Sequence, residues 1–217
     1  MPTLLQLDSA AETLARSRSR SITKTFADEW TAAGADFTVI SRDLHADPLP
    51  HLPDAALHWP PHLRPEGAEP PLEAEQLQAE LIGELLEADV LLVSAPIYNY
   101  SVPSALKAWV DHIHVPGITA PFELSLQPLA DRPAVIVSSR GGIYDEGSRA
   151  EHWDHAVPML EIILGNALGM TTEVITTSVT LAEDLPAMAS MIGRSREELA
   201  AAHDLAAARA REIAATF

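Results

Sequence analysis

Residues 90–112 read Val90-Leu91-Leu92-Val93-Ser94-Ala95-Pro96-Ile97-Tyr98-Asn99-Tyr100-Ser101-Val102-Pro103-Ser104-Ala105-Leu106-Lys107-Ala108-Trp109-Val110-Asp111-His112. Val90 to Val93 is a continuous apolar run, the pattern of a parallel strand covered on both faces. A polar, aromatic loop punctuated by proline follows. Val102, Leu106, Trp109, Val110 and Ile113 then recur at helical spacing. The helix is predicted to start between Ser101 and Ser104, where Pro103 is tolerated because a first-turn N–H has no helical partner. In open α/β sheets ligands bind beyond the carboxyl ends of the strands, so Ile97-Tyr98-Asn99-Tyr100 is a candidate site. Two tyrosines around an amide suit a planar heteroaromatic ligand; the competing reading is a turn whose tyrosines cap the core.

The same alternation extends in both directions. Leu4–Leu7, Phe37–Ile40, Ala134–Val137 and Val174–Thr177 read as further strands. Between them, a helix from about Arg20 carries Ile22, Phe26 and Trp30 on one face, and Gly34 suits its stop. A helix from about Leu72 to Ala88 has Leu77, Leu81 and Leu85 as its inner stripe, widened by Ile82 and Leu86. Its other face is acidic without a Lys or Arg and is predicted to face solvent. Met159, Leu160, Ile163 and Leu164 mark a helix ending near Gly169, and an Ala-rich stretch from Arg196 to Thr216 makes the last one. This predicts a doubly wound α/β sheet with helices on both faces. Residues 45–71, rich in Pro and His, lack periodicity and are expected to pack on the surface or against a second subunit. No repeat or linker divides the 217 residues, which suits one domain over 1–217.

Composition narrows the function. With 31 acidic against 14 basic residues the net charge is -17, which argues against nucleic acid or an anionic membrane as partner. The absence of cysteine excludes disulfides, a thiolate nucleophile and Cys-ligated metals. No basic leader precedes Leu4 and no long apolar segment follows, so neither a signal peptide nor a membrane span is expected and the default address is cytoplasmic. The nine histidines form no H-E-x-x-H or matching ligand set, so no metal is expected. No G-x-S-x-G elbow supports a serine hydrolase.

Gly34 is the first glycine, so the loop after the first strand contains neither G-x-G-x-x-G nor a P-loop. It offers Ser9, Thr13, Ser17, Ser19 and Ser21, with Arg16, Arg18, Arg20 and Lys24 close by. Hydroxyls and free N–H groups at a helix N-terminus hold a phosphate monoester, and an arginine adds a charge-assisted bond. The alternative is a basic first turn with serine caps, which the helix dipole disfavours by ~0.3–1 kcal/mol per exposed cation.

Ser138-Ser139-Arg140-Gly141-Gly142-Ile143-Tyr144 follows the fourth strand. Together with Ser9, Ser17-Arg18-Ser19 and the Tyr98-Asn99-Tyr100 loop leading into Leu106-Lys107-Ala108-Trp109-Val110-Asp111, it resembles the FMN-dependent NADH-azoreductases, a branch of the flavodoxin-like NAD(P)H:quinone oxidoreductases. Arg42-Asp43-Leu44 and Pro48-Leu49-Pro50 also fit, whereas Ala10 to Arg16 depart from the Pro/Gly-containing versions expected there. The resemblance implies strand order 2-1-3-4-5, FMN as cofactor, NADH or NADPH as co-substrate, and a small planar acceptor, a quinone or azo compound. It implies that Ser9, Ser17, Arg18 and Ser19 hold the flavin phosphate. Ile97, Tyr98, Asn99 and Tyr100 would wrap one edge and face of the ring, and Ser139, Arg140, Gly141 and Gly142 would approach its pyrimidine end. The glycines there would let backbone N–H groups come close to the ring. Tyr144 would line the substrate face. A homodimer is implied, with Phe122 as a wall from the partner; the segment from Val115 to Leu129, with Val115, Ile118, Phe122 and Leu124, has no period tying it to its own core. No catalytic side chain is expected, since hydride moves between cofactor and substrates. The competing classes are a non-enzymatic flavodoxin-like electron carrier and a flavin-binding regulatory protein.

Overall fold

In the computed structural model, which describes residues 1–122 and 127–217, the Val90 run is the middle strand of a parallel sheet. The strands are β1 (Thr3–Asp8), β2 (Thr38–Asp43), β3 (Val90–Ser94), β4 (Pro133–Ser139) and β5 (Thr171–Thr177), in the order β2-β1-β3-β4-β5. This is the flavodoxin-like order expected from the resemblance. Every residue of β3 is buried, because it is flanked on both sides and covered on both faces.

Two apolar layers flank the sheet. On one face, α1 (Arg18–Ala32) and α5 (Ile192–Ala214) pack Ile22, Phe26 and Trp30 against Leu4, Leu92 and Val135. Ala202, Ala206, Ala210 and Ala214 recur every fourth residue on the buried side of α5, and their small side chains let it lie close to α1. The second layer holds α2 (Leu72–Glu87), α3 (Ser104–Ile113) and α4 (Val157–Leu160), which continues as a π-helical segment over Glu161–Ala167. Leu106, Trp109, Val110 and Ile113 of α3 are buried here, as their spacing predicts, together with Val102 just before it. Fully burying each such side chain is worth ~1.5–3 kcal/mol.

Several boundaries differ from expectation. β5 starts at Thr171, three residues early, because Thr171, Thr172 and Glu173 continue the register against Pro133, Ala134 and Val135. α5 starts at Ile192, where Ser195 is buried and donates to the Val179 carbonyl at 2.9 Å. The buried line of α2 runs through Ala74, Gln78, Leu81, Ile82 and Leu85, leaving Leu77 half-buried. Gln78 sits there because its Nε2 donates to the carbonyls of Leu57 and His112, at 2.9 and 3.0 Å. The acidic face of α2 is not wholly solvated: Glu80 and Glu84 pair with Arg42, and Glu75 with Arg64. The 45–71 excursion packs on its own chain through these contacts, with Leu57 fully buried and Pro50 accepting from His112 Nε2 at 2.9 Å. Among the described residues no helix is long and apolar enough to cross a membrane.

Candidate functional site

The carboxyl ends of β1, β3, β4 and β5 point the same way, and the loops leaving them enclose an open cavity of about 820 Å³. Ser17 and Arg18, Ile97 to Asn99, and Ser139 with Gly141 line it, as the sequence predicts for those positions. The fourth wall, Thr180 to Asp184 after β5, was not read from the sequence. These residues carry no motif, although their place after a strand marks them by the same rule that found the Tyr98 loop.

Ser17 caps α1: its Oγ accepts from the Arg20 N–H at 3.3 Å and lies 3.3 Å from Ser19 Oγ. Nothing among the described residues accepts from the N–H groups of Arg18 and Ser19, the ordinary condition of a helix's first turn. Ser9 is buried, and its Oγ donates to the Ser94 carbonyl at 2.6 Å, tying the end of β1 to that of β3. It braces the loop rather than lining the cavity.

The basic cluster divides. Arg20 turns inward, donating to both carboxylate oxygens of Asp43 at 2.7 and 2.8 Å and to the Ala10 carbonyl at 2.6 and 3.3 Å. Its hydrogen bonds hold the Asp43 carboxyl down at about 2. Burial raises the pKa of neighbouring Asp8, with Arg20 opposing. Lys24 pairs with Asp28 on the helix surface. Arg16 and Arg18 therefore remain at the cavity, facing Glu12, Glu183 and Asp184. Arg18 Nη1 donates to the Ser195 carbonyl at 3.0 Å, and burial lowers its pKa against the pull of Glu183, Glu198 and Asp184.

The β3 loop is a tight turn closed by reciprocal backbone bonds between Tyr98 and Ser101, at 2.9 and 3.1 Å. Asn99 and Tyr100 both have positive φ, 49° and 73°. Two left-handed residues in succession define the hairpin turn that Asn favours and Tyr tolerates poorly. The turn leaves the N–H groups of Asn99 and Tyr100 unclaimed by described residues. Tyr98 Oη accepts from the Ala11 N–H at 3.1 Å, which joins this loop to the first one. The Tyr100 ring is not part of the cavity lining and meets Trp153 edge-on at 5.4 Å.

Beyond β4, the Ile97 N–H donates to the Ser139 carbonyl at 2.9 Å, and the Gly141 and Gly142 N–H groups have no acceptor among the described residues. Neither glycine has positive φ. A Cβ at 141 would lie 3.0 Å from Cδ1 of the exposed Leu181, whereas at 142 it would meet only Tyr144 at 3.9 Å. Arg140 leaves the cavity to pair with Asp154 at 2.7 Å, its guanidinium 5.8 Å from the centre of the Tyr144 ring. Tyr144 thus stands beside Gly142 and is not among the residues that line the cavity. Phe122 does not line the cavity of its own chain and packs edge-on against Trp59 at 6.1 Å. Leu124 lies outside the described residues. A second recess of about 630 Å³, between His51, Lys107 and Met159, shares Tyr98 and Asn99 with the first.

Residues 2–207 match the model of a family described as having a flavodoxin-like fold. The chain is 56% identical, over the whole of both proteins, to one from Kineococcus radiotolerans named FMN-dependent NADH:quinone oxidoreductase. It is 38% identical over 218 residues to a Streptomyces avermitilis protein of that name, covering 100% of this chain and 99% of the other. Among solved structures, it matches the azoreductase of Bacillus anthracis str. Sterne with a TM-score of 0.81 and 20% identity, covering 98% and 100% of the two chains. An FMN-dependent NADH-azoreductase from Bacillus anthracis str. Ames Ancestor, crystallised with FMN, matches with a TM-score of 0.78 and 18% identity over 99% and 100%. Those structures speak for the fold, and the closer relatives for the family: the chain belongs to the flavodoxin-like FMN-dependent NADH:quinone oxidoreductases.

Proposed function

We propose that the chain is an FMN-dependent oxidoreductase that uses NADH or NADPH to reduce quinones and azo compounds. One observation carries the cofactor assignment. Three loops present unclaimed backbone donors around one cavity: Arg18 and Ser19 at a helix start, Asn99 and Tyr100 in a strained turn, and Gly141 and Gly142 after β4. Main-chain N–H groups without a protein acceptor are satisfied by water or by a ligand. A ligand with a phosphate at one end and an acceptor-rich flat ring at the other meets all three sets. The buried hydroxyls of Ser94 and Thr177, at the ends of β3 and β5, also lack partners among the described residues.

Arg18 and Ser19 N–H groups, with the Ser17 hydroxyl and the helix dipole, would hold the phosphate. Arg18 would add charge while Ser195 fixes its guanidinium. Asn99 and Tyr100 would donate along one ring edge, and the Gly141 and Gly142 N–H groups would stabilise negative charge at the pyrimidine end. Held by these residues, FMN would supply the redox chemistry that links NAD(P)H to the acceptor. The chain's own work is then binding, orientation and exclusion of water, and the reading requires no catalytic side chain. One sheet with its two apolar layers supports taking 1–217 as a single FMN-binding domain. Cytoplasm, where NAD(P)H is supplied, is the location that suits the reaction.

The same reading makes the working unit a homodimer. An open cavity bounded by one chain would leave a ring face to water, and Phe122, which packs against Trp59 outside the lining of its own cavity, would wall the partner's. Flavin released by heating the holoprotein should chromatograph as FMN, and NADH alone should bleach it. FAD as the sole flavin would refute the cofactor, and bound FMN that NADH cannot bleach would favour an electron carrier or regulator. Sedimentation should give twice the chain mass, and Phe122→Ala should raise acceptor KM more than it weakens FMN; a fully active monomer would refute the dimer alone.

A further inference from the structure

The side chains of Tyr100, Tyr144, Arg149 and Trp153, which follow the cavity-lining Asn99 and Gly141 in the chain, take no part in holding the flavin as just described. Tyr100 and Trp153 are half and 39% exposed, their rings edge to face at 5.4 Å. Tyr144 stands beside them over Arg140. The Arg149 guanidinium lies over the Trp153 ring, 5.6 Å from its centre. Tyr100 is held in this place at a cost: a non-glycine residue at φ 73° persists only where its surroundings fix it. The Tyr98–Ser101 bonds do so, with the His155 N–H donating to the Tyr100 carbonyl at 2.9 Å.

Arg149 differs from every other cation in the chain. Of 14 basic side chains, Arg18, Arg132 and Arg149 alone lack a carboxylate partner among the described residues. Arg18 and Arg132 donate to backbone carbonyls instead. Among the described residues Arg149 has only the face of Trp153, although acidic residues outnumber basic ones by 31 to 14 in the chain. Of the carboxylates near it in sequence, Asp145 pairs with Arg194, Asp154 with Arg140, and Glu151 accepts from the Gly147 N–H, while Glu146 is exposed and pairs with no cation among the described residues. A guanidinium stacked on an indole keeps its planar fork of donors turned outward, suited to a two-oxygen anion.

We infer that Arg149, seated on Trp153, is a specificity-determining residue that engages the anionic group of a planar aromatic substrate entering over Tyr100 and Tyr144. This rests on the oxidoreductase reading. The anion belongs either to the pyrophosphate of NAD(P)H or to a sulfonate or carboxylate on the acceptor; the contact is the same. In a strongly acidic protein whose cavity carries Glu12, Glu183 and Asp184, a cation with no carboxylate partner among the described residues would offset the repulsion such a substrate meets.

The test uses FMN-loaded wild type, Arg149→Gln, Arg149→Lys and Trp153→Leu. ADP-ribose, which has the pyrophosphate but no hydride, is titrated by calorimetry. Flavin bleaching by NADH, and its reoxidation by 1,2-naphthoquinone-4-sulfonate or neutral menadione, are followed by stopped flow. Arg149→Gln should weaken at least one anionic probe about fivefold, the factor for ~1 kcal/mol at an exposed ion pair, and leave menadione unchanged. Arg149→Lys should restore part of the loss, Trp153→Leu should reproduce part of it, and 0.5 M salt should shrink it. Loss for ADP-ribose and NADH identifies the dinucleotide as the anion's source, and loss for the sulfonate alone identifies the acceptor. Unchanged anionic probes, or equal loss for menadione, would overturn the inference while leaving the activity standing. A wild type that NADH cannot bleach would overturn both.

Discussion

Asp43→Asn isolates the brace beneath the proposed phosphate loop. Asp43 accepts two hydrogen bonds from Arg20, which in turn donates to the Ala10 carbonyl, so the end of β2, the start of α1 and the first loop meet at one guanidinium. The drop in the Asp43 pKa from 3.8 to about 2 is worth at most ~2.5 kcal/mol at 1.36 kcal/mol per unit. The Asp43 side chain is 38% exposed, so solvent screening reduces the expected loss to ~1 kcal/mol. Asparagine keeps an acceptor for the His45 and Ala46 N–H groups, so the change reports on the charge. Because the folded-state pKa lies below the unfolded one, the stabilisation is complete well above pH 4 and is lost as pH falls through the folded value.

Asp8 works in the opposite direction, since burial raises its pKa and its ionisation above the unfolded value costs stability. Wild type alone therefore gives an ambiguous acid limb. Urea unfolding of wild type and Asp43→Asn should differ by ~1 kcal/mol at pH 7, by almost as much at pH 4, and by about half at pH 3. A gap under ~0.3 kcal/mol at pH 7, or one that does not close toward pH 3, would refute the brace.

Arg18→Ala with Ser17→Ala should weaken FMN by ~1.5–3 kcal/mol for each charged bond lost while sparing riboflavin, measured by fluorescence titration of the apoprotein; equal losses would place these residues off the phosphate. Gly141→Ala should cost ~1 kcal/mol in urea unfolding through its contact with Leu181, and Leu181→Ala should relieve it in the double mutant. Gln78→Leu should cost ~1–3 kcal/mol by stranding the Leu57 and His112 carbonyls, with early proteolysis within residues 45–71; unchanged stability would show that other contacts hold that segment.

The fold was legible because its strands are buried on both faces and write themselves as apolar runs, and because α1 and α3 keep a strict apolar period. What failed were places where a polar group settles a local question. Gln78 lies on the buried side of α2 because two carbonyls from distant segments need its donors, a need no periodicity records. Arg20 counted in sequence as one cation near a phosphate loop. In space its partner is Asp43, 23 positions away, and the pair consumes the charge.

The site was legible in proportion to how far its chemistry is backbone chemistry. Tight turns after β3 and β4 need Asn, Gly or an unusual conformer, so the loops at 97–100 and 139–142 announce themselves by residue type. Side-chain roles are fixed by what else is nearby, and there the sequence misleads. The Tyr100 side chain meets Trp153, and a Cβ at Gly141 would meet Leu181, contacts that no motif records. Thr180 to Asp184 have ordinary composition, and they matter because β5 ends beside a cavity built elsewhere. Recognising such residues requires knowing which charges are already spent. In a chain this acidic, a guanidinium left over is therefore more informative than the carboxylates around it.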